Sequence, residues 1–417
     1  MMYLPRLFHK PASRNPLSLL KALLGSALLL PGQVLMTGGE PGEPVRLHPS
    51  DMAIFLAGEN RSDLPCSVSP NKPVLGFDMR LHSTYEVAVP LAELAGDQDI
   101  LSLLFRVQPV DPPGEPAHFV QRVRVPPIDE GARGDAYLHG TFDVGPGDYR
   151  VSWLMRDRSG RVCSSFWDVR AGLAGKDQEI ELNLRPGRVA ATELEQFREE
   201  PPVLRRAGGE NLSVKVMVNF APQNQHAATL RPIDTSALVS ILRTISREPR
   251  ITKFSVVTFN LHERRVLYRQ ENADRIDFPA IGASLETLEL GTIDIARLSD
   301  EFGEAAFLSE LIRQEVAGDT QPDALIFAGP KAMLTRNIPE QELEAIGQLP
   351  YPVYYMNYNL NPFEIPWRDA IGVAVHFLNG REYTITRPRD LFVAVGGIVS
   401  EIVKGKDNRR MAAAASE

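Results

Sequence analysis

Asn219, Gln223 and Asn224 stand where a buried strand gives way to a loop. Val214 to Pro222, VKVMVNFAP, reads as an apolar strand that runs into the loop Gln223 to Pro232 and then a helix. In an open α/β sheet ligands sit at such junctions, because strand carboxyl ends and helix N-termini converge there. Three uses of these carboxamides are open. They can satisfy the unpaired N–H groups that begin the following helix. They can form a metal-free surface for a partner. With a register slip of a residue or two, Asp234 or Asp294 could instead bring a carboxylate to a cation. Without such help the amide oxygens supply no negative charge to offset the dehydration of a divalent ion.

Other reactive groups have ordinary explanations. His262-Glu263 opens an H-E-x-x-H pattern, but Val266 occupies the fifth position and the segment reads as a hairpin, so a solvated turn is expected. His226 has no second histidine or cysteine near it. No G-x-S-x-G, P-loop or G-x-G-x-x-G is present, which leaves hydrolase and nucleotide chemistry without support. Arg133-Gly134-Asp135 lies in a loop rich in Gly, Asp and Arg and reads as a chance match to an adhesion tripeptide. The densest aromatic cluster is Tyr351, Tyr354, Tyr355, Tyr358, Phe363 and Trp367, set among asparagines. Core packing explains part of it, and an exposed recognition loop containing Tyr355, Tyr358 and Trp367 is the alternative.

The elements that must position these groups follow from pattern. A chain of 417 residues exceeds one ordinary core, so two domains are expected. A net charge of -8 gives no basic face for nucleic acid. Before Glu40 the charged residues are all basic, and the apolar run Ala22 to Leu30 is broken by Pro31-Gly32. That is the outline of a signal segment over residues 1–37, cut between Gly32 and Glu40; an uncleaved anchor is the rival reading. Export would make a disulfide between Cys66 and Cys163 favourable, the alternative being two buried thiols.

Residues 45–172 carry short β-type runs separated by Pro, Gly and Asp, the spacing of an immunoglobulin-like or fibronectin-like β-sandwich. The stretch FDVGPGDYRVSW, Phe142 to Trp153, has the form of a corner in which a tyrosine hydroxyl bonds back to the preceding turn. Residues 173–210 read as a linker, with Glu179 to Leu184 a possible last strand. From 211 to 405 strands and helices alternate, and 406–417 read as a disordered tail. The fold class expected is multidomain α+β: an all-β sandwich, then a doubly wound, mostly parallel α/β Rossmann-like domain.

The second domain resembles a von Willebrand factor A-like domain of the type found in exported proteins of soil bacteria. The likeness is carried by Val214 to Asn219, Phe259 to Gln270, Ala324 to Gly329 and Asp369 to Pro388, and covers about half the chain. In that family a D-x-S-x-S motif, a threonine and a later aspartate hold a metal. Here those positions fall on Asn219, Ala221 and Gln223, on Thr292, and near Ala328. The resemblance therefore implies a degenerate site without metal or other cofactor. It implies a binding or adhesion protein that is not an enzyme, which the signal segment over residues 1–37 would make exported (periplasmic or extracellular). Its protein partner would meet Asn219, Gln223, Asn224, Thr292, Tyr355, Tyr358 and Trp367 at the top of the sheet, with no nucleic acid and no membrane span after signal cleavage. A cation-dependent ligand binder, a structural spacer or assembly protein, and an envelope enzyme are the alternatives.

Overall fold

The computed structural model describes residues 33–36, 49–96, 99–192, 196–205, 211–223, 230–288, 300–317, 321–331, 334, 338–359 and 368–415. Asn224, His226, Thr292, Asp294, Phe363 and Trp367 lie outside the described residues, as does most of the N-terminal segment.

The first half is a two-sheet β structure. One sheet has the order β1-β6-β5-β8-β9, from β1 (Gln33–Met36), β6 (Ala117–Val125), β5 (Asp99–Asp111), β8 (Gly147–Arg156) and β9 (Val162–Ala171). The other has the order β10-β7-β4-β2, from β10 (Val189–Ala191), β7 (Asp135–Val144), β4 (Leu81–Pro90) and β2 (Ser67–Pro70), with β3 (Val74–Leu75) also paired to β4. Strand β4 shows why they face each other: its residues alternate strictly, with Leu81, Ser83, Tyr85, Val87 and Val89 buried. Such a period of two puts one face into a shared core. Tyr85, Phe105, Phe119, Phe142 and Trp153 fill that core, with the Phe105 and Phe119 rings stacked at 4.4 Å. The Tyr149 hydroxyl donates to the Gly145 carbonyl at 2.8 Å, closing the corner into β8. A helix absent from the sequence pattern, α1 (Pro49–Ala57), packs Phe55 on Leu154 and Val162 outside this core. A disulfide joins Cys66 to Cys163, tying the chain before β2 to the first turn of β9.

The second half forms a six-stranded sheet of order β13-β12-β11-β14-β15-β16. Its strands are β11 (Leu212–Asn219), β12 (Ile251–Asn260), β13 (Arg265–Ala273), β14 (Ala324–Pro330), β15 (Val353–Tyr358) and β16 (Arg381–Ile385). Helices α2 (Pro232–Arg247), α3 (Phe278–Leu285), α4 (Gly303–Val316), α5 (Glu340–Glu344), α6 (Ala370–Phe377) and α7 (Pro388–Ala415) accompany it. Leu238, Ile241, Leu242 and Ile245 of α2 and Leu391, Val395, Ile398 and Ile402 of α7 cover one face of the sheet. Leu308, Leu311 and Ile312 of α4 and Ile371, Ala374 and Val375 of α6 cover the other. Both faces being covered, β14 and β15 are buried along their whole length.

Pairing across the chain corrects the expectation of a multidomain α+β protein defined by a doubly wound, mostly parallel Rossmann-like domain. Among the described residues eight strand pairings are antiparallel and five are parallel. Apart from the parallel β1–β6 pairing the two sandwich sheets are antiparallel, and the third is mixed, four parallel pairings with an antiparallel hairpin at its β12–β13 edge. The supposed linker is not free chain either: β10 closes the second sandwich sheet, and Ile180 is buried against the six-stranded sheet. Nor is 406–415 a disordered tail, since α7 continues to Ala415 and Lys406 donates to the Asn211 carbonyl.

The disulfide spans 97 residues of sequence. In the chain-entropy account a loop of that length is worth about 4–5 kcal/mol, less any relaxation of the native state. Replacing both cysteines by alanine is expected to lower the denaturant midpoint of the β-sandwich by a free energy of about 2–5 kcal/mol, read from tryptophan fluorescence. An unchanged midpoint would show that the cross-link does not constrain the unfolded chain.

Candidate functional site

Two polar constellations emerge, one where the two halves meet and one inside the six-stranded sheet. The first is organised by the turn from Gly76 to Arg80 that leads into β4. The His82 ring lies over Gly76, whose missing side chain is essential: a Cβ there would stand 2.2 Å from Nε2. His82 Nε2 donates to Asp78 Oδ1 at 3.0 Å and Nδ1 to Asp143 Oδ1 at 2.8 Å. Asp143, fully buried, also accepts from Arg80 at 3.2 Å and from the Thr192 hydroxyl at 2.6 Å.

These contacts decide the protonation state. Burial works against the imidazolium, but hydrogen bonds to Asp143 and Asp78 and their charges outweigh it and raise His82 to about 10. Burial likewise pushes the Asp78 carboxyl up, and the His82 hydrogen bond and charge more than reverse this, leaving it below the ordinary range. Asp78, His82 and Asp143 place one ligand atom each within 4.8 Å of one another, as a cation site would. The donor set does not fit one. Both ring nitrogens already face carboxylate oxygens, so neither is turned toward an ion, and Arg80 brings its own positive charge to Asp143. The group is a balanced ion cluster.

The cluster borders a cleft of about 690 Å³ between the outer face of β4 and β7 and the side of α2 that carries Ile233, Ser236, Val239, Ser240 and Arg243. Thr84, Thr141, Asn71, Gln196, Ser236 and Ser240 give it hydroxyl and amide groups, while Phe77, Ile233 and Val239 give apolar surface. Arg243, at the α2 side, is held by Glu200 at 2.7 Å and donates to the Gln196 carbonyl at 2.9 Å. His139 faces Glu86 at 3.6 Å. Among the described residues that line the cleft, Asp78 is paired with His82 and Arg243 with Glu200.

The second constellation holds the residues singled out in the sequence. Asn219 ends β11 fully buried, and its Oδ1 accepts from the backbone N–H groups of Ala221 and Leu261 at 3.1 and 3.2 Å. It therefore braces the strand-to-loop turn and is not presented to solvent. Gln223 is half-buried in that turn. Tyr355 and Tyr358 are corrected as recognition-surface residues: both are buried, Tyr355 with its hydroxyl donating to Asp369 Oδ2 at 2.9 Å, 3.0 Å from the Pro330 carbonyl. Burial, with the nearby Asp369, raises the Tyr355 phenol well above its ordinary value. The structure thus brings Asn219, Tyr355 and Tyr358 to one end of the sheet as internal groups, while Asn224, Thr292 and Trp367 are outside the described residues. His262 is a brace as well, with Nδ1 3.0 Å from Glu304 Oε1 and Nε2 3.0 Å from the Pro222 carbonyl.

Sequence reasoning missed the Asp78–His82–Asp143 group. Asp78 and His82 are four residues apart, but Asp143 is 61 residues beyond His82 and arrives only through the β4–β7 pairing of His82 with Asp143.

Comparison with known proteins adds little. No family model matches the chain, and no curated protein matches it. Solved structures give only low-scoring likenesses. A β-glucuronidase of Bacteroides uniformis is 10% identical over 70% of this chain and 36% of its own, at a TM-score of 0.19. A glycosyl hydrolase family 2 member of Bacteroides cellulosilyticus is 9% identical over 76% and 37%, at 0.20. An alkylpurine DNA glycosylase of Pseudomonas fluorescens is 12% identical over 25% and 30%, at 0.17. The chain spans about a third of the length of each, and superpositions at this level carry no argument about fold or function. No family model supports membership of the von Willebrand factor A family, and the strand pairings across the chain are mostly antiparallel, so that resemblance is withdrawn. The adhesion-type function, acting through a metal-free domain of that family, rested on the resemblance and is withdrawn with it.

The His82 cluster makes a prediction with a definite sign. The folded value of about 10 lies above the ordinary 6.5. Its stabilisation is therefore complete below about pH 6.5 and is lost as pH rises through about 10. His82→Gln is expected to destabilise the protein by about 2–4 kcal/mol at neutral pH, because a buried carboxylate loses its charged partner. The gap in melting temperature between wild type and variant should narrow from pH 7 to pH 10.5. A gap that stays constant would mean that His82 is not charged in the folded state.

Proposed function

We propose that the chain is a non-covalent binder of a small, neutral, hydroxyl-rich molecule, held in the cleft between the β-sandwich and α2. The observation that carries this is the cleft's chemistry: about 690 Å³ lined by hydroxyl and amide groups, with the charges of Asp78, His82 and Arg243 already paired. Its size is in the range of small-molecule sites, roughly 300–1,000 Å³, and junctions between domains are where such sites concentrate. Among the described residues of the lining, a charged ligand would find its counter-charges already engaged. A neutral polyol meets Thr84, Thr141, Ser236 and Ser240 with donors and acceptors of its own, and Phe77 and Ile233 with its C–H faces.

Binding is the use that the cleft's lining supports directly, since its hydroxyl and amide groups offer both donors and acceptors. The Cys66–Cys163 bond supports an oxidising compartment outside the cytoplasm. Among the described residues no helix is long and apolar enough to cross a membrane.

Titration of the full chain with neutral hexoses and their disaccharides, followed by calorimetry, tests the reading. One of them is expected to bind saturably, and Ser240→Trp, which fills the α2 side of the cleft, is expected to weaken it at least about tenfold, or about 1.4 kcal/mol. Saturable binding of gluconate or glucosamine in place of the neutral sugars, or a neutral sugar whose affinity Ser240→Trp leaves unchanged, would overturn it.

A further inference from the structure

The six-stranded sheet holds a second polar feature that neither the cleft nor the turn at Asn219 uses. Asn219, Gly329 and Asn357 end the neighbouring strands β11, β14 and β15, with Gly329 in register with Asn357 and its hypothetical Cβ 2.9 Å from the Asn219 Cβ. All three face the α4–α6 side. On their strands Met217 and Ala221, Phe327, and Tyr355 belong to the core on that side, while Val218, Ala328 and Met356 belong to the other.

The two carboxamides are fixed from opposite sides. Asn219 Oδ1 is taken by the N–H groups of Ala221 and Leu261, Leu261 following β12. Since two donors point at this atom, it is the oxygen, and Nδ2 is turned the other way, toward β14. Asn357 Nδ2 donates to Glu382 Oε1 on β16 at 2.6 Å, which turns Oδ1 back toward β14. Asn219 Nδ2 and Asn357 Oδ1 both lack a hydrogen-bond partner, and both residues are fully buried. Strands two places apart lie about 10 Å from each other. Gly329 carries no side chain, so β14 places only backbone between the strand ends that hold the free donor and the free acceptor.

We propose that the gap over Gly329 binds one neutral hydroxyl group, which accepts from Asn219 Nδ2 and donates to Asn357 Oδ1. A single oxygen bridges a donor and an acceptor about 5–6 Å apart, each bond being about 2.9 Å. It satisfies both buried groups at once. A cation is excluded by the N–H groups aimed into the gap, and an anion would meet the Asn357 carbonyl. Water and the hydroxyl of an alcohol share the required chemistry. This site is on the α/β half and is independent of the interdomain cleft.

The test uses the full chain labelled with ¹⁵N at asparagine. Cross-relaxation from the Asn219 side-chain NH₂ to water is followed while methanol, ethylene glycol or, separately, Mg²⁺ is added. The expected result is a long-lived water cross-peak on that NH₂. If an alcohol displaces the peak and shifts the resonance saturably, the occupant is a ligand hydroxyl; if the peak persists at high alcohol, it is resident water. Gly329→Ala, whose methyl enters the gap, should abolish the cross-peak. Asn357→Leu should do the same without crowding Asn219, so a folding failure of the first variant leaves the second to decide. The proposal is overturned by a wild-type NH₂ with neither a water cross-peak nor an alcohol response. A saturable Mg²⁺ shift, or a cross-peak retained in Asn357→Leu, would overturn it equally.

Discussion

The turn from Gly76 to Arg80 is what the two halves of this molecule depend on. Met79 at its tip has a left-handed backbone, φ 58°, uncommon for a residue with a side chain. Such a conformation costs about 1–2 kcal/mol. It persists because Met79 is buried in the core that β11, α2 and α7 share, where a side chain of its size gains about 1.5–3 kcal/mol. The Asn183 N–H closes on the Met79 carbonyl at 2.9 Å, so the chain after the sandwich clamps the tip in place. With Met79 planted in one half, Asp78 and Arg80 on either side are held where His82 and Asp143 of the other half meet them. Apolar anchoring and charge balance are thus consecutive residues of one turn.

The seam has further ties on the same line. Ile180 is buried against the six-stranded sheet beside Met79, and Arg389 of α7 donates to the Lys176 carbonyl while standing 3.5 Å from Asp177. A segment whose Pro, Gly and charge content reads as flexible linker is in this way a fastening. Its polarity reflects the many backbone groups it must bond, not freedom of movement. The cleft beside it has one wall from each half, and its width is set by these contacts.

How much was legible follows from the range of the interactions. Strands such as Leu101–Val107 and Tyr149–Met155 announce themselves locally, by β-branched and aromatic residues between turn formers, and they lie within β5 and β8. Helix α2 shows its apolar face at the spacing of Leu238, Ile241, Leu242 and Ile245. By contrast α1, nine residues with a single deeply buried apolar side chain, has too weak a period to read. The Asp78–His82–Asp143 group was invisible because two of its members become neighbours only through a β ladder. Asn219 was legible as a junction residue but not as an internal brace, since which backbone groups reach a carboxamide depends on the course of β12. Tyr355 and Tyr358 show the limit of composition: beside asparagines, buried tyrosines look like an exposed recognition loop.

Helix α7 carries an implication for the order in which the molecule can be made. Leu391, Ala394, Val395, Ile398 and Ile402 complete the same core that receives Val214, Val216 and Val218 of β11 and, across the seam, Met79. Lys406 then bonds the Asn211 carbonyl just before β11 and Asp323 before β14. A nascent chain therefore has its β-sandwich available long before the surface meant to receive Met79 exists, because that surface waits for the last helix to leave the ribosome. Until then an apolar side chain in a strained turn stands uncovered on an otherwise finished domain. The sandwich is consequently the part of the chain for which delay between the synthesis of its two halves matters most.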